Sequence, residues 1–270
     1  MQLNSLLASQ FSLPSIPRVV ALLLSELERE VPDLKKINLL ISTDPALTTR
    51  LLQLSNSGFF RLSARVHSVS ESLAVVGLSH VRTMASASAT SASLKGVPGF
   101  NLQQYWSYSL DVAKVSRSLA GVVMQNQQSA FTAGLVHLVG ELAMRIGMPR
   151  EMAALDVDVP ALDARRAKAE LKFFGYNYAD VAAGLARKWL FPLTIVEALE
   201  YQDAPFADDA SEPLAGVLHL AAWRARAKDA GLNQRAMAVT FPGAVGEVLA
   251  LDIDMVLQQD PIDWHSQQRA

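Results

Sequence analysis

The spacing of apolar residues restricts the fold of this chain more than any other feature. They recur every three or four positions between prolines and glycines, and the first such segment carries Val20, Leu23 and Leu27 before the break at Pro32. This spacing places apolar side chains on one face of a helix. β-branched residues occur singly and not in the alternating runs that are typical of strands. We therefore predict an all-α fold.

Capping signals mark the start of several predicted helices. Asp44-Pro45 pairs a residue that accepts bonds from free backbone N–H groups with the residue favoured at the first helical position. Ser68 with Glu71, and Asn177 with Asp180, have the spacing of helix starts. Before the linker candidate 95–99, helices are predicted from Arg18 and over 34–41, 46–57, 69–76 and 79–94. After it, helices are predicted over 101–126, 129–146, 163–174, 178–190, 192–202, 213–230, 233–239 and 244–259.

Composition narrows the function classes. The chain has 270 residues, half of them apolar, which allows one large domain or two modest lobes. Its 24 basic and 26 acidic residues give a net charge of −2 without a long basic run, so we expect no nucleic-acid partner. There is no cysteine, which excludes disulfides, zinc–thiolate sites and cysteine nucleophiles. The N-terminus does not resemble a signal peptide and no apolar run is long enough for a membrane span, so we predict a cytoplasmic protein.

An ordered set of motifs carries a family resemblance. The motifs are LPSIP, DPALTTRLLQLSNSGFF, VHSVSESLAVVGLSHVR, YWSYSLDVAKVSRSLA, AFTAGLVHLVGELAM and FGYNYADVAAGLARKWLFP. Together they resemble an HDOD domain, a bacterial signalling module related to the HD-type metal-dependent phosphohydrolases. The resemblance implies a two-lobed helical bundle whose second half is similar to the phosphohydrolase core. It also implies regulation through contacts with other signalling proteins.

The resemblance also implies a division of the chain. Residues 1–12 are predicted as an N-terminal arm and 13–205 as the HDOD domain. Within that domain, 13–95 form the first lobe and 100–205 the HD-like lobe. Residues 206–270 are predicted as helices that pack on the HD-like lobe.

The enzymes of the HD superfamily hold metal with histidines and an Asp, and these positions can be compared with the chain one by one. Tyr108 stands where Trp-x-His-Ser would supply the first histidine, and the His-Asp doublet is His137-Leu138. Tyr178 replaces the histidine after Gly-x-Asn, and the last histidine falls near Tyr201. Catalytic metal sites normally use about three protein ligands. Because the chain departs from the family pattern at these positions, we predict neither a bound metal nor catalytic residues.

Two interpretations of this altered centre stay open. Tyr108, His137, Leu138, Tyr178 and Tyr201 either fill the former metal pocket or line a pocket for a small planar ligand, since tyrosines offer both a ring and a hydroxyl. Glu141 lies four residues after His137, so we expect either a hydrogen bond between them or His137 inside and Glu141 outside.

The sequence offers two further kinds of candidate site: pairs of acidic residues and a segment that could contact a partner protein. The acidic pairs Asp156/Asp158, Asp208/Asp209 and Asp252/Asp254 are predicted to be solvated. Residues 56–65 suggest a partner contact through Asn56, Phe59, Phe60 and Arg61, because aromatic and arginine side chains often anchor interfaces. The alternative is that the two phenylalanines pack between the lobes.

Three functions follow from these predictions. The first is a non-catalytic HDOD signalling protein that acts through protein contacts and needs no cofactor. The second is a divergent metal-dependent phosphohydrolase. The third is a sensor of a nucleotide-type ligand that uses the former metal pocket. Neither the partner nor the oligomeric state follows from the sequence.

Overall fold

The computed structural model describes residues 1–9, 12–92, 101–206 and 212–258. These residues form helices joined by turns, without strands, as the all-α prediction requires. The N-terminal part contains α1 Leu3–Ala8, α2 Pro17–Leu27, α3 Leu34–Ile41, α4 Pro45–Ser55, α5 Val69–Val76 and α6 Leu78–Ala92. The central part contains α7 Leu102–Val122, α8 Gln127–Val136, α9 Val139–Gly147, α10 Pro149–Asp158, α11 Arg166–Phe174, α12 Tyr178–Lys188 and α13 Leu193–Glu200. The C-terminal part contains α14 Pro213–Asp229, α15 Gln234–Thr240, α16 Gly243–Val248 and α17 Ile253–Gln258.

The predicted caps are present. The Asp44 carboxylate accepts bonds from the backbone of Ala46 and Leu47 and opens α4. Asn177 and Asp180 form a complete capping box at the start of α12. Each satisfies backbone N–H groups that the first turn of a helix leaves without partners.

The buried apolar side chains form two clusters, and the larger one also includes Ala46, Leu52 and Val66 from the N-terminal part. The smaller cluster lies among α2 to α6 and contains Leu23, Ile37 and Leu47. The larger cluster is centred on α7, α8, α9, α12 and α13, and it also takes in residues of α14. The C-terminal helix α14 packs directly on α7. The exact lobe boundaries stay a prediction, because the linker candidate 95–99 lies outside the described residues.

The N-terminal arm contains a helix that the sequence did not predict. Leu6 of α1 is fully buried in the larger cluster, close to Gly147, and Leu7 lies close to Gly184. A side chain on either glycine would overlap these leucines. The two glycines therefore create the space in which the arm is seated.

The predicted continuous helix over 129–146 is wrong. It is broken at His137 and Leu138, between α8 and α9. Side chains bind the carbonyl groups at the break. Gln202 donates to the His137 carbonyl at 3.1 Å, and the Tyr105 hydroxyl donates to the Leu138 carbonyl, which also accepts from the Leu142 backbone at 3.2 Å. The break also brings Gly140 against α12, where a Cβ would lie 2.0 Å from the Tyr178 carbonyl oxygen.

The last predicted helix, 244–259, is also interrupted. It forms two short helices, α16 and α17, around Ala250, which has a φ of +53°. The helix α10 was not predicted, because its segment lacks a strong apolar period. Its buried residues are Met152 and Leu155.

Candidate functional site

The break between α8 and α9 places His137 against Tyr108 of α7. Their ring centroids are 5.6 Å apart at an angle of 46°. The Tyr108 hydroxyl donates a hydrogen bond of 3.1 Å to the carbonyl of Ala222 on α14. Burial raises the pKa of Tyr108, so its hydroxyl stays protonated and is a poor metal ligand.

His137 is buried and neutral. Its Nδ1 donates to the Gly134 carbonyl at 2.7 Å, which leaves the lone pair on Nε2. Among the described residues, none lies within hydrogen-bonding distance of that Nε2 atom. Burial lowers the pKa of His137 to about 3, and the positive charge of Arg226 acts in the same direction. One neutral imidazole nitrogen therefore remains of the ancestral ligand set.

Leu138 and Tyr178 add no ligand beside it. Leu138 is 5% exposed, and only its backbone carbonyl makes polar contacts. Tyr178 opens α12, where its backbone N–H donates to Glu170 at 2.7 Å. Burial raises the pKa of the Tyr178 hydroxyl well above its ordinary value. Neither side chain can bind a divalent ion at neutral pH.

Tyr201 does not join this cluster. It ends α13 and is half-exposed, and within the described chain no hydrogen bond or ring contact joins it to His137. Its neighbour Gln202 is the buried residue that sequence reasoning missed. The Gln202 side-chain amide donates to the His137 carbonyl at 3.1 Å, and the Gln202 backbone carbonyl accepts from His219 Nδ1 at 2.8 Å. Gln202 therefore links the end of α13 to α14 and to the helix break.

Arg226 of α14 brings a positive charge close to the former metal centre. It interacts electrostatically with the hydroxyls of Tyr108 and Tyr178. Arg226 lies seven residues, or two helical turns, after His219, so both lie on one face of α14. This arginine lies beyond the motifs compared above and was not predicted as part of the site.

Glu141 neither bonds to His137 nor faces the solvent, so both expectations for this residue are wrong. Its side chain is fully buried and accepts from Arg145 at 2.8 Å and from Arg166 at 3.0 Å. The same two arginines bind Asp156, whose predicted solvated role is therefore also wrong. The pattern gave no sign of this cluster because its members come from three helices.

The remaining acidic pairs differ among themselves. Asp158 is exposed. Asp252 accepts from the backbone of Met255 at the start of α17. Asp208 and Asp209 lie outside the described residues.

The centre does not fit a catalytic metal. His137 offers a single imidazole nitrogen, Tyr108 is a protonated hydroxyl bonded to a carbonyl, and Leu138 has no donor atom. Across the residues that the structure describes, no group of three His, Cys, Asp or Glu side chains is placed to hold an ion. A catalytic site normally needs about three such ligands. No metal-dependent step can be derived from these residues.

The predicted contact segment contains one buried structural residue, Asn56, and exposed residues that a partner could reach. Asn56 is 2% exposed, and its side chain bonds to both the N–H and the carbonyl of Val66, so it fixes the loop and cannot touch a partner. Phe59 is 72% exposed, which excludes packing between the lobes for this ring. Phe60 packs partly on the smaller cluster, and Arg61 is exposed with a φ of +48°.

The family model of the HDOD domain matches residues 13–205. The chain belongs to the HDOD family. This match covers both lobes as far as α13 and stops before α14, the helix that carries Arg226.

Solved structures share the fold of this HDOD protein. The MmoQ response regulator from Methylococcus capsulatus is 25% identical, with a TM-score of 0.74 over 93% of this chain and 98% of the other. A "Putative phosphohydrolase" from Shewanella amazonensis SB2B is 26% identical, with a TM-score of 0.56 over 95% and 92%.

The chain is also similar to an uncharacterized protein of Treponema pallidum, with 23% identity over 210 residues. These residues are 75% of this chain, which spans only 40% of the relative.

None of the helices in the described ranges is both long enough and apolar enough to cross a membrane.

Proposed function

We propose that this HDOD protein is a non-catalytic, cytoplasmic signalling component that acts through protein–protein contacts. The family match and the likeness to a response regulator support a signalling-related role. The non-catalytic part depends on one observation: His137 Nε2 is the sole metal-binding atom left at the ancestral ligand positions. Without a metal there is no activated water and no cation to stabilise charge on a phosphate ester.

A second candidate is a divergent phosphohydrolase, which the likeness to the Shewanella protein favours. An assay of phosphodiester hydrolysis distinguishes the two candidate functions. The full chain would be incubated with bis(p-nitrophenyl) phosphate and added Mn²⁺, Ni²⁺ or Mg²⁺, beside a His137→Gln variant. We expect no release of p-nitrophenol above buffer from either protein. Metal-dependent turnover by the natural chain that His137→Gln abolishes would favour the hydrolase.

The proposed contact surface consists of Phe59, Phe60, Arg61 and His80, and is called the aromatic surface below. The two phenylalanine rings meet edge to face at 5.0 Å, and each lies within 6 Å of the His80 ring. Phe59 therefore lies against two other rings at the surface, where aromatic side chains are typical anchors of interfaces. Arg61 and Arg65 are both exposed beside it. A partner segment with an apolar side chain flanked by carboxylates matches this combination.

A pull-down from the native cell with a matched control tests the surface. Phe59→Ser removes the exposed ring, while Phe173→Ser removes a ring that is 65% exposed on α11, far from it in sequence. We expect Phe59→Ser to lose a protein that the natural chain and Phe173→Ser both retain. Equal capture by all three proteins would contradict the assignment of this surface.

A further inference from the structure

A cleft opens beside the former metal centre without including it. Its volume is about 690 Å³, within the range of roughly 300–1,000 Å³ that is typical of small-molecule sites. It lies between the first turn of α7, the loop 160–164 and the C-terminal half of α14. Tyr108, His137 and Tyr178 are buried behind it and do not line it. The cleft is therefore a different site from the one that the family motifs mark.

The walls of the cleft are mainly apolar. Trp223 is fixed there, because its Nε1 donates to Thr240 at 3.2 Å and its ring meets Phe241 edge to face at 5.2 Å. Leu162 and Leu232 add aliphatic surface. Such a surface suits a ligand with a flat or apolar part.

The acidic side chains in the cleft already have partners. Asp156 is held by Arg145 and Arg166, and both Asp163 oxygens accept from Arg165. The Asp229 carboxylate accepts from Gln104 at 3.3 Å.

Arg226 differs from these groups. It lines the cleft and is half-buried, and among the described residues no carboxylate lies within ion-pairing distance of it. Its strongest electrostatic interactions are with the neutral hydroxyls of Tyr108 and Tyr178, followed by those with the carboxylates of Asp203 and Asp163, neither of which forms an ion pair with it. A partly desolvated guanidinium without an ion pair binds an incoming anion strongly, because bonds to a charged group in low dielectric are among the strongest.

We propose that this cleft binds a small molecule that combines an anionic group, held by Arg226, with an aromatic or apolar part that lies against Trp223 and Leu232. A mononucleotide has this chemistry and fits the volume. The inference goes beyond the proposed function and does not depend on the aromatic surface.

Isothermal titration of the full chain tests the proposal, with AMP and GMP as probes and adenosine and guanosine as uncharged counterparts. Arg226→Gln removes the charge and keeps a polar side chain, and Arg226→Lys keeps the charge. Arg235→Gln is the matched control, because Arg235 is exposed on α15 and does not line the cleft. Ala230→Trp fills the cleft from an exposed position without changing a charge. Circular dichroism checks that each variant is folded.

We expect at least one nucleotide to bind and its nucleoside to bind at least about tenfold more weakly, as expected for the loss of a charge-assisted contact. Arg226→Gln and Ala230→Trp should reduce nucleotide binding by a similar factor, while Arg235→Gln leaves it unchanged and Arg226→Lys keeps part of it. The absence of heat with both nucleotides would overturn the proposal. Equal binding by the natural chain and a folded Ala230→Trp variant would also overturn it.

Discussion

Two buried polar clusters in the second lobe stand only four residues apart in sequence and differ in the charge of the groups that form them. One contains Glu141, Arg145, Arg166 and their partners, and its guanidinium groups are bonded to carboxylates. The other is the former metal centre, where His137 keeps one nitrogen bonded and the other without a partner among the described residues.

The difference indicates which polar groups the fold requires. Arg166 ties α9, α10 and α11 together, and Glu170 extends the connection to the first N–H of α12. Burial and the neighbouring Glu141 raise the pKa of Glu170 to about 9, which lessens the repulsion between these two buried carboxyls. In the former metal centre neutral groups make the connections: Gln202 and Tyr105 bind the carbonyls at the helix break, and Tyr108 binds the Ala222 carbonyl of α14.

The largest effect is expected when the missing carboxylate is restored. Leu138→Asp regenerates the His-Asp doublet but places a charge in an apolar site without the other ligands. We expect a loss of unfolding free energy of about 4 kcal/mol or more, since burying an unpaired charge is among the most destabilising changes. Urea unfolding measures it, with Leu138→Met as a control expected to lose less than about 1.5 kcal/mol. Stability gained on adding Mn²⁺ to Leu138→Asp would mean that a ligand set survives.

Breaking the ion cluster should cost nearly as much. Arg166→Met leaves Glu141 and Glu170 buried without one of their cations, and such a change typically costs about 3–5 kcal/mol. Chemical denaturation of the full chain measures the loss. Arg165→Met removes an adjacent but exposed arginine and is expected to leave the midpoint nearly unchanged. Equal midpoints for the two variants would remove the distinction between the clusters.

The smallest effect concerns pH. His137 stays neutral in the folded chain down to about pH 3, whereas the unfolded chain takes up its proton near 6.5. The stability that this residue contributes is therefore fully present above about pH 6.5 and is lost gradually as the pH falls towards 3. His137→Gln should show a shallower decline across this window. Parallel curves would mean that His137 is not held neutral by burial.

Much of the fold followed from local chemistry. Asp44-Pro45 and Asn177 with Asp180 gave correct helix starts, because a cap depends on residues a few positions apart. The break at His137 and Leu138 did not follow, since it depends on Gln202 and Tyr105, which lie far away in sequence.

The site was predictable in part. The family resemblance directed attention to Tyr108, Leu138 and Tyr178, and the chemistry of these side chains predicted that they bind no metal. The roles of Glu141 and Asp156 could not be read from spacing, because ion pairs between helices leave no periodic pattern. Arg226 was missed for a related reason: it lies outside the family motifs and reaches the site only through the packing of α14 on α7.

The metal content of the full chain, purified without chelators or affinity metals, tests the central claim most directly. Inductively coupled plasma mass spectrometry of the natural chain and of His137→Gln would measure it. The account predicts no stoichiometric transition metal in either protein. One bound ion per natural chain, absent from His137→Gln, would contradict it.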